Sequence, residues 1–128
     1  MATILVVEDS SSAREVVLRL LTRQGYTAIP ASCAAEALHI LQQTTPNLML
    51  LDVMMPEMDG LALLQHLRGQ PAYKDLPVIM MTALSDDTRR ARANELGVKA
   101  YLVKSLFSLD ELIYHIELNT PHTNPLAH

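Results

Sequence analysis

Short apolar runs alternate along this chain with longer segments in which apolar residues recur at helical spacing, the pattern of repeated βα units around a parallel sheet. Four runs, Ile4 to Val7, Leu48 to Leu51, Val78 to Met81 and Ala100 to Val103, are apolar almost without interruption. That is what strands covered by helices on both faces require. Tyr26 to Ile29 is more mixed and predicts an edge strand. The expected class is therefore α/β, with a doubly wound, five-stranded parallel sheet.

The intervening segments predict five helices. Ala13, Val16, Val17, Leu20 and Leu21 form one apolar stripe behind a Ser12/Glu15 capping box, and Gly25 ends that helix. Ala34, Ala37, Leu38 and Leu41 repeat the stripe behind a Ser32 cap, and Leu61, Leu64 and Leu67 mark the third helix. Leu109, Leu112, Ile113 and Ile116 mark the fifth, capped by Ser108 and Glu111. The fourth helix differs. From Asp86 to Leu96 its stripe can draw only on Ala91, Ala93 and Leu96, so it buries little area and should be held loosely until Gly97 stops it. Residues 1–118 then form one domain, and the aperiodic stretch 119–128, with Pro121 and Pro125, reads as a frayed or disordered tail.

Composition narrows the function classes. With 128 residues, 49% of them hydrophobic, and a mean hydropathy of +0.14, the chain suits one filled core. A net charge of −4 gives no basic face, so direct nucleic-acid binding is disfavoured and a protein partner expected. No apolar run approaches the roughly 20 residues needed to span a bilayer. The start of the chain carries no basic leader, and Cys33 has no second cysteine to pair with. A reducing cytoplasm fits these features.

In an open α/β sheet the ligand site lies beyond the carboxyl ends of the strands, where strand order reverses. The predicted strands end at Glu8-Asp9, at Asp52, at Thr82-Ala83 and at Lys104. Three carboxylates, a hydroxyl and an ammonium would share one crevice. Like-charged carboxylates need a compensating cation, and hard oxygen ligands suit Mg²⁺, with Mn²⁺ as the alternative. Asp52 could then act as a nucleophile toward a phosphoryl group, Lys104 and the metal neutralising the phosphoryl oxygens and Thr82 donating its hydroxyl. An ionised carboxylate needs no general base.

The stretch from Asp52 through Val53, Met54, Met55, Pro56, Glu57, Met58 and Asp59 to Gly60 resembles the signature of two-component response-regulator receiver domains, the CheY-like family. Glu8-Asp9, Thr82-Ala83, Tyr101 and Lys104 follow in that family's order and spacing, over residues 3 to 118. The resemblance implies strand order 2-1-3-4-5 and Asp52 as phosphoacceptor. Its metal ligands would be Asp9, Asp52 and the Met54 carbonyl, with Glu8 reaching the metal through water. Thr82 and Lys104 would contact the phosphoryl group, and Thr82 and Tyr101 would form a switch pair. The module would signal without being an enzyme in its own right, catalysing only its own phosphoryl transfer and slow autodephosphorylation. The implied partners are a sensor histidine kinase or histidine phosphotransfer protein, an output protein met through the α4-β5-α5 surface, and a homodimer formed on phosphorylation. Met54 and Leu84, two positions after Asp52 and Thr82, would shield the phosphoryl group from water.

One departure stands out: Lys104 is followed by Ser105, where the family usually has proline, and Leu106-Phe107-Ser108 suggests an extra residue before the last helix. A cis bond to a non-proline costs about 2.5–4 kcal/mol, so a trans bond is expected, with Lys104 reaching the phosphate differently. That keeps open a second class, an interaction module that no longer accepts phosphate. An aspartyl-phosphate phosphatase of the haloacid dehalogenase type wants a second Asp two positions after the nucleophile, where Met54 stands. Nothing resembles the glycine-rich phosphate loop of a cofactor-binding relative. Arg89, Arg90 and Arg92 read as a solvated helix face or a partner contact, the histidines lack metal-ligand spacing, and the methionines near Asp52 and on the fourth strand read as packing.

Overall fold

The computed structural model describes residues 2–53, 55, 58–83, 86–106 and 108–120. The strands are β1 (Thr3–Val7), β2 (Thr27–Ala31), β3 (Leu48–Asp52), β4 (Val78–Thr82) and β5 (Ala100–Val103). The helices are α1 (Ser11–Arg23), α2 (Ala34–Gln43), α3 (Gly60–Arg68), α4 (Asp87–Glu95) and α5 (Leu109–Leu118). All strand pairs are parallel, in the order β2-β1-β3-β4-β5. This is the expected architecture, and sequential strands reverse direction across the sheet between β1 and β3.

The period-two geometry of the strands divides the core into two halves. Leu5, Val7, Met49, Leu51, Val78, Met80 and Tyr101 face one side and pack with α2, α3 and Ala93 of α4. Ile4, Val6, Leu48, Leu50, Ile79, Met81 and Leu102 face the other, against Leu21 of α1 and Leu112 and Ile116 of α5. Both faces of β1, β3 and β4 are thus covered, which is why their sequences are apolar throughout.

The local expectations needed adjustment at several ends. β2 begins one residue later than the pattern implied and runs on through Pro30 to Ala31. Proline is tolerated there because β2 is an edge strand paired only with β1. The N-cap of α1 is Ser10, whose Oγ accepts from the Ala13 amide at 3.4 Å, while Ser12 lies inside the helix and Glu15 pairs with Arg19. At α2 the N-cap is Cys33 without a side-chain bond, and Glu36 reaches back to the Ser32 amide at 2.9 Å. Ser108 does cap α5, accepting from the Glu111 amide at 3.2 Å.

Val16 and Leu109, assigned by periodicity to buried stripes, are exposed instead and flank an apolar cavity of about 280 Å³ between α1 and α5. On α3 the buried leucines are 63, 64 and 67, with Leu61 only half-buried. Of the three residues proposed to anchor α4, only Ala93 is buried. Ala91 is exposed and Leu96 half-buried, so α4 is held even more lightly than expected. Gly97 follows with a φ of +76°, a conformation that favours glycine. At the end of α5, Asn119 caps the helix and the buried Thr120 hydroxyl donates to the Ile116 carbonyl at 2.8 Å. The rest of the expected tail, residues 121–128, lies outside the described residues.

Candidate functional site

The strand register brings the first polar residues after each apolar run to one level. Val7 is aligned with Leu51, Asp52 with Met81 and Thr82 with Val103. The ladder then continues one step beyond the strands. The Glu8 amide donates to Ala31 O at 3.0 Å, Val53 to Met81 O at 3.0 Å, and Lys104 to Thr82 O at 2.7 Å. These bonds hold Glu8, Asp52, Thr82 and Lys104 at the carboxyl edge of the sheet.

Glu8, Asp52 and Thr82 are buried there, while Asp9 is exposed. Glu8, Asp9 and Asp52 each place a carboxylate oxygen within 4.8 Å of the others. Lys104 Nζ donates to Glu8 Oε1 at 2.7 Å and stands 3.7 Å from Asp52 Oδ2. Two of the three carboxylates therefore share one ammonium. The second Glu8 oxygen, Oε2, is buried and accepts no hydrogen bond among the described residues. A buried, orphaned carboxylate oxygen is costly, and an all-oxygen set at this spacing suits a hard divalent cation that would relieve it. Met54, expected to supply a carbonyl, and Leu84, expected at the entrance, lie outside the described residues.

The Lys104–Ser105 bond is trans, since no described peptide is cis. Lys104 reaches across to Glu8 and lies farther from Asp52.

Three contacts that join elements have no periodic signal in the sequence, the first two of them at the site. Arg14 Nη1 donates to the Glu8 carbonyl at 2.8 Å, fixing the turn from β1 into α1. Gly60 opens α3 directly beneath Asp52, its amide donating to Val53 O at 2.8 Å. A Cβ on Gly60 would fall on the Asp52 carbonyl oxygen and lie 3.0 Å from Val53 Cα, so this position must stay bare for α3 to approach. Arg68, half-buried at the end of α3, donates to the carbonyls of Leu96 at 2.7 Å, Tyr73 at 2.9 Å and Leu76 at 2.8 Å. It ties the tail of α4 to α3.

Tyr101 points inward from β5 and is 8% exposed, in the half-core beneath α4. Its pKa is raised, first by burial and then by the negative charge of Asp86, against the opposing pull of Arg89, Arg90 and nearby Thr82. The guanidinium carbon of Arg90 lies 5.1 Å from the Tyr101 ring centroid, a cation–π distance.

Comparison with known proteins agrees with this fold. Residues 4–117 match the sequence profile of the response regulator receiver domain. A probable transcriptional regulator, ycf27 of Porphyridium aerugineum, is 44% identical over 109 residues, 85% of this chain and 44% of that protein. The chain spans less than half the length of the curated relatives it matches first. Among solved structures, chemotaxis protein CheY4 of Vibrio cholerae superposes with a TM-score of 0.85 at 30% identity, covering 93% of this chain and 98% of that one. The Mn²⁺-bound form of response regulator Rcp1 superposes with a TM-score of 0.78 at 29% identity, over 91% and 90% of the two chains.

Proposed function

This chain belongs to the response regulator receiver domain family, whose members act in phosphorylation-dependent two-component signalling, and we propose that its phosphoacceptor is Asp52. The observation that carries the reading is the meeting of Asp52 with Glu8, Asp9, Thr82 and Lys104 at the carboxyl edge of the sheet. Residues 1–118 form the receiver unit.

An Asp52 carboxylate oxygen attacks the phosphorus of a phosphohistidine or of a small acyl phosphate. A P–O bond to Asp52 forms as the bond to the donor breaks, and the electron pair leaves with the donor imidazole or carboxylate. Asp9, Asp52 and the Met54 carbonyl would hold Mg²⁺, or Mn²⁺ in its place, with Glu8 reaching it through water. The metal supplies positive charge to the phosphoryl oxygens. Lys104 supplies more, once it exchanges Glu8 for the phosphoryl group, and Thr82 donates its hydroxyl. Thr82 and Tyr101 then act as the switch pair that alters the α4-β5-α5 surface. Met54 and Leu84 slow attack by water. On this reading the chain catalyses only its own phosphorylation and slow autodephosphorylation.

The donor is a histidine kinase or histidine phosphotransfer protein, and the receiver of the signal an output protein or a second phosphorylated copy. No described helix is long and apolar enough to cross a membrane. The cytoplasm is the proposed compartment.

Incubation with Mg²⁺ and acetyl phosphate, followed by intact mass, tests the assignment. One added phosphoryl group in wild type and none in Asp52→Asn is expected. No addition to wild type, from acetyl phosphate or from a phosphorylated histidine donor, would favour the interaction module instead. The trans Lys104–Ser105 bond and the Glu8-directed Lys104 are what give that alternative its standing.

A further inference from the structure

We propose that Arg90 is a positioning residue for Tyr101, its guanidinium holding the ring in the buried position before any phosphoryl group is present. The inference rests on the reading of Thr82 and Tyr101 as the switch pair, and it adds a third member on α4.

Three observations converge on Arg90. Tyr101 is already buried in the unmodified chain, yet its hydroxyl makes no hydrogen bond of ordinary geometry among the described residues and has at best a weak one with Thr82. Burying a phenol without such a bond is unfavourable, so the inward position needs support from elsewhere. Arg90 provides it, lying 5.1 Å from the ring centroid, where the partly desolvated face of an aromatic ring attracts a cation. The other arginines of α4 are engaged differently: Arg89 approaches Asp86 at 3.5 Å and Arg92 pairs with Glu95 at 2.9 Å. Arg89 adds its charge to the surroundings of Tyr101, but it is Arg90 that lies at cation–π distance from the ring.

The position of Arg90 gives this contact its leverage. α4 buries Ala93 and little else, so the stack of Arg90 on Tyr101 is a substantial part of what fastens its first half to β5. Its other end is tied by Arg68 through the Leu96 carbonyl. The ring and α4 therefore settle together, with α4 drawn over β5 when the ring is in. A phosphoryl group on Asp52 that also favours the inward ring would act on the same equilibrium. Two influences on one equilibrium are coupled, so removing Arg90 must weaken the phosphorylated form as well.

Two measurements test this on the full chain. In free protein, the Tyr101 ring resonances, assigned by their loss in Tyr101→Phe, should move toward the values of an exposed tyrosine in Arg90→Met and stay near wild type in Arg90→Lys. Beryllium fluoride with Mg²⁺, a phosphoryl mimic, should bind Arg90→Met about two- to fivefold more weakly than wild type, with Arg90→Lys restoring most of the loss. The loss should persist in a Tyr101→Phe background, which keeps the aromatic face, and vanish in Tyr101→Leu. Unmoved ring resonances, or an equal loss with Leu at position 101, would overturn the proposal. Failure of wild type to bind the mimic would sink the assignment of Asp52 and the coupling with it, while the placement of the ring by Arg90 would still be judged from the resonances alone.

Discussion

Lys104 is hydrogen-bonded to Glu8 and only ion-paired with Asp52: its Nζ lies 2.7 Å from Glu8 Oε1 and 3.7 Å from Asp52 Oδ2. Glu8 is almost fully buried, and its other oxygen has no hydrogen bond among the described residues. The ammonium therefore serves first as a structural counter-ion for a buried carboxylate. On the proposed function, service to a phosphoryl group would require that bond to be exchanged.

Replacing Lys104 by Met should expose this dual role. The variant leaves the Glu8 carboxylate without its cation, but Lys104 is about a third exposed, so the cost falls below that of breaking a fully buried pair. In metal-free urea unfolding it should lose about 1–3 kcal/mol. Added Mg²⁺ should then stabilise Lys104→Met by more than it stabilises wild type, because the metal replaces the missing charge among Glu8, Asp9 and Asp52. An equal Mg²⁺ response in the two proteins would count against a metal site at these carboxylates.

Gly60→Ala should be destabilising despite the higher helix propensity of alanine. The new methyl would press on the backbone of Asp52 and Val53, which cannot swing aside as a side chain could. A loss of about 1–3 kcal/mol is expected, together with slower phosphorylation by acetyl phosphate as Asp52 shifts. Gly69→Ala is the control: φ there is −79°, and an added methyl would meet nothing closer than the His66 carbonyl oxygen at 3.5 Å. It should be neutral or slightly stabilising in the same denaturation series.

Tyr101 gives the fold a dependence on alkaline pH. Burial raises its pKa above the ordinary 10, so the unfolded chain loses this proton before the folded one does. The stability it contributes is complete below about pH 10 and declines as pH rises from there through the folded-state value. Phenolate absorbance should show one late-ionising tyrosine in the folded protein. Tyr101→Phe should remove that late step and flatten the decline in stability; a late step that survives the substitution would assign it to another tyrosine.

Much of the site was legible before any coordinates, for a simple reason. A strand buried on both faces must be apolar, so the first polar residue after each run marks where the sheet ends, and Glu8, Asp52 and Lys104 announce themselves that way. Thr82, still within β4, is found by the same step from apolar to polar. Helical periodicity was a poorer guide at the margins. It placed Val16, Leu109 and Ala91 inside, because spacing tells which residues share a face but not whether a neighbouring element closes over it. Ser10 and Ser12 are chemically equivalent caps, and the choice went to Ser10 in a turn that Arg14 also holds through the Glu8 carbonyl.

By itself, then, the sequence determined the βα alternation, the two-faced burial of the central strands and the identity of the polar groups at their ends, since these follow from local pattern and the chemistry of single residues. Only the tertiary structure decided how those groups are paired. Lys104 on Glu8, Arg90 on Tyr101, Arg68 on the end of α4 and Gly60 beneath Asp52 each join separate elements. Such contacts leave no period in the chain. They depend on how closely packed elements approach and how deeply each charge is buried, which is settled only when the whole sheet and its helices close together.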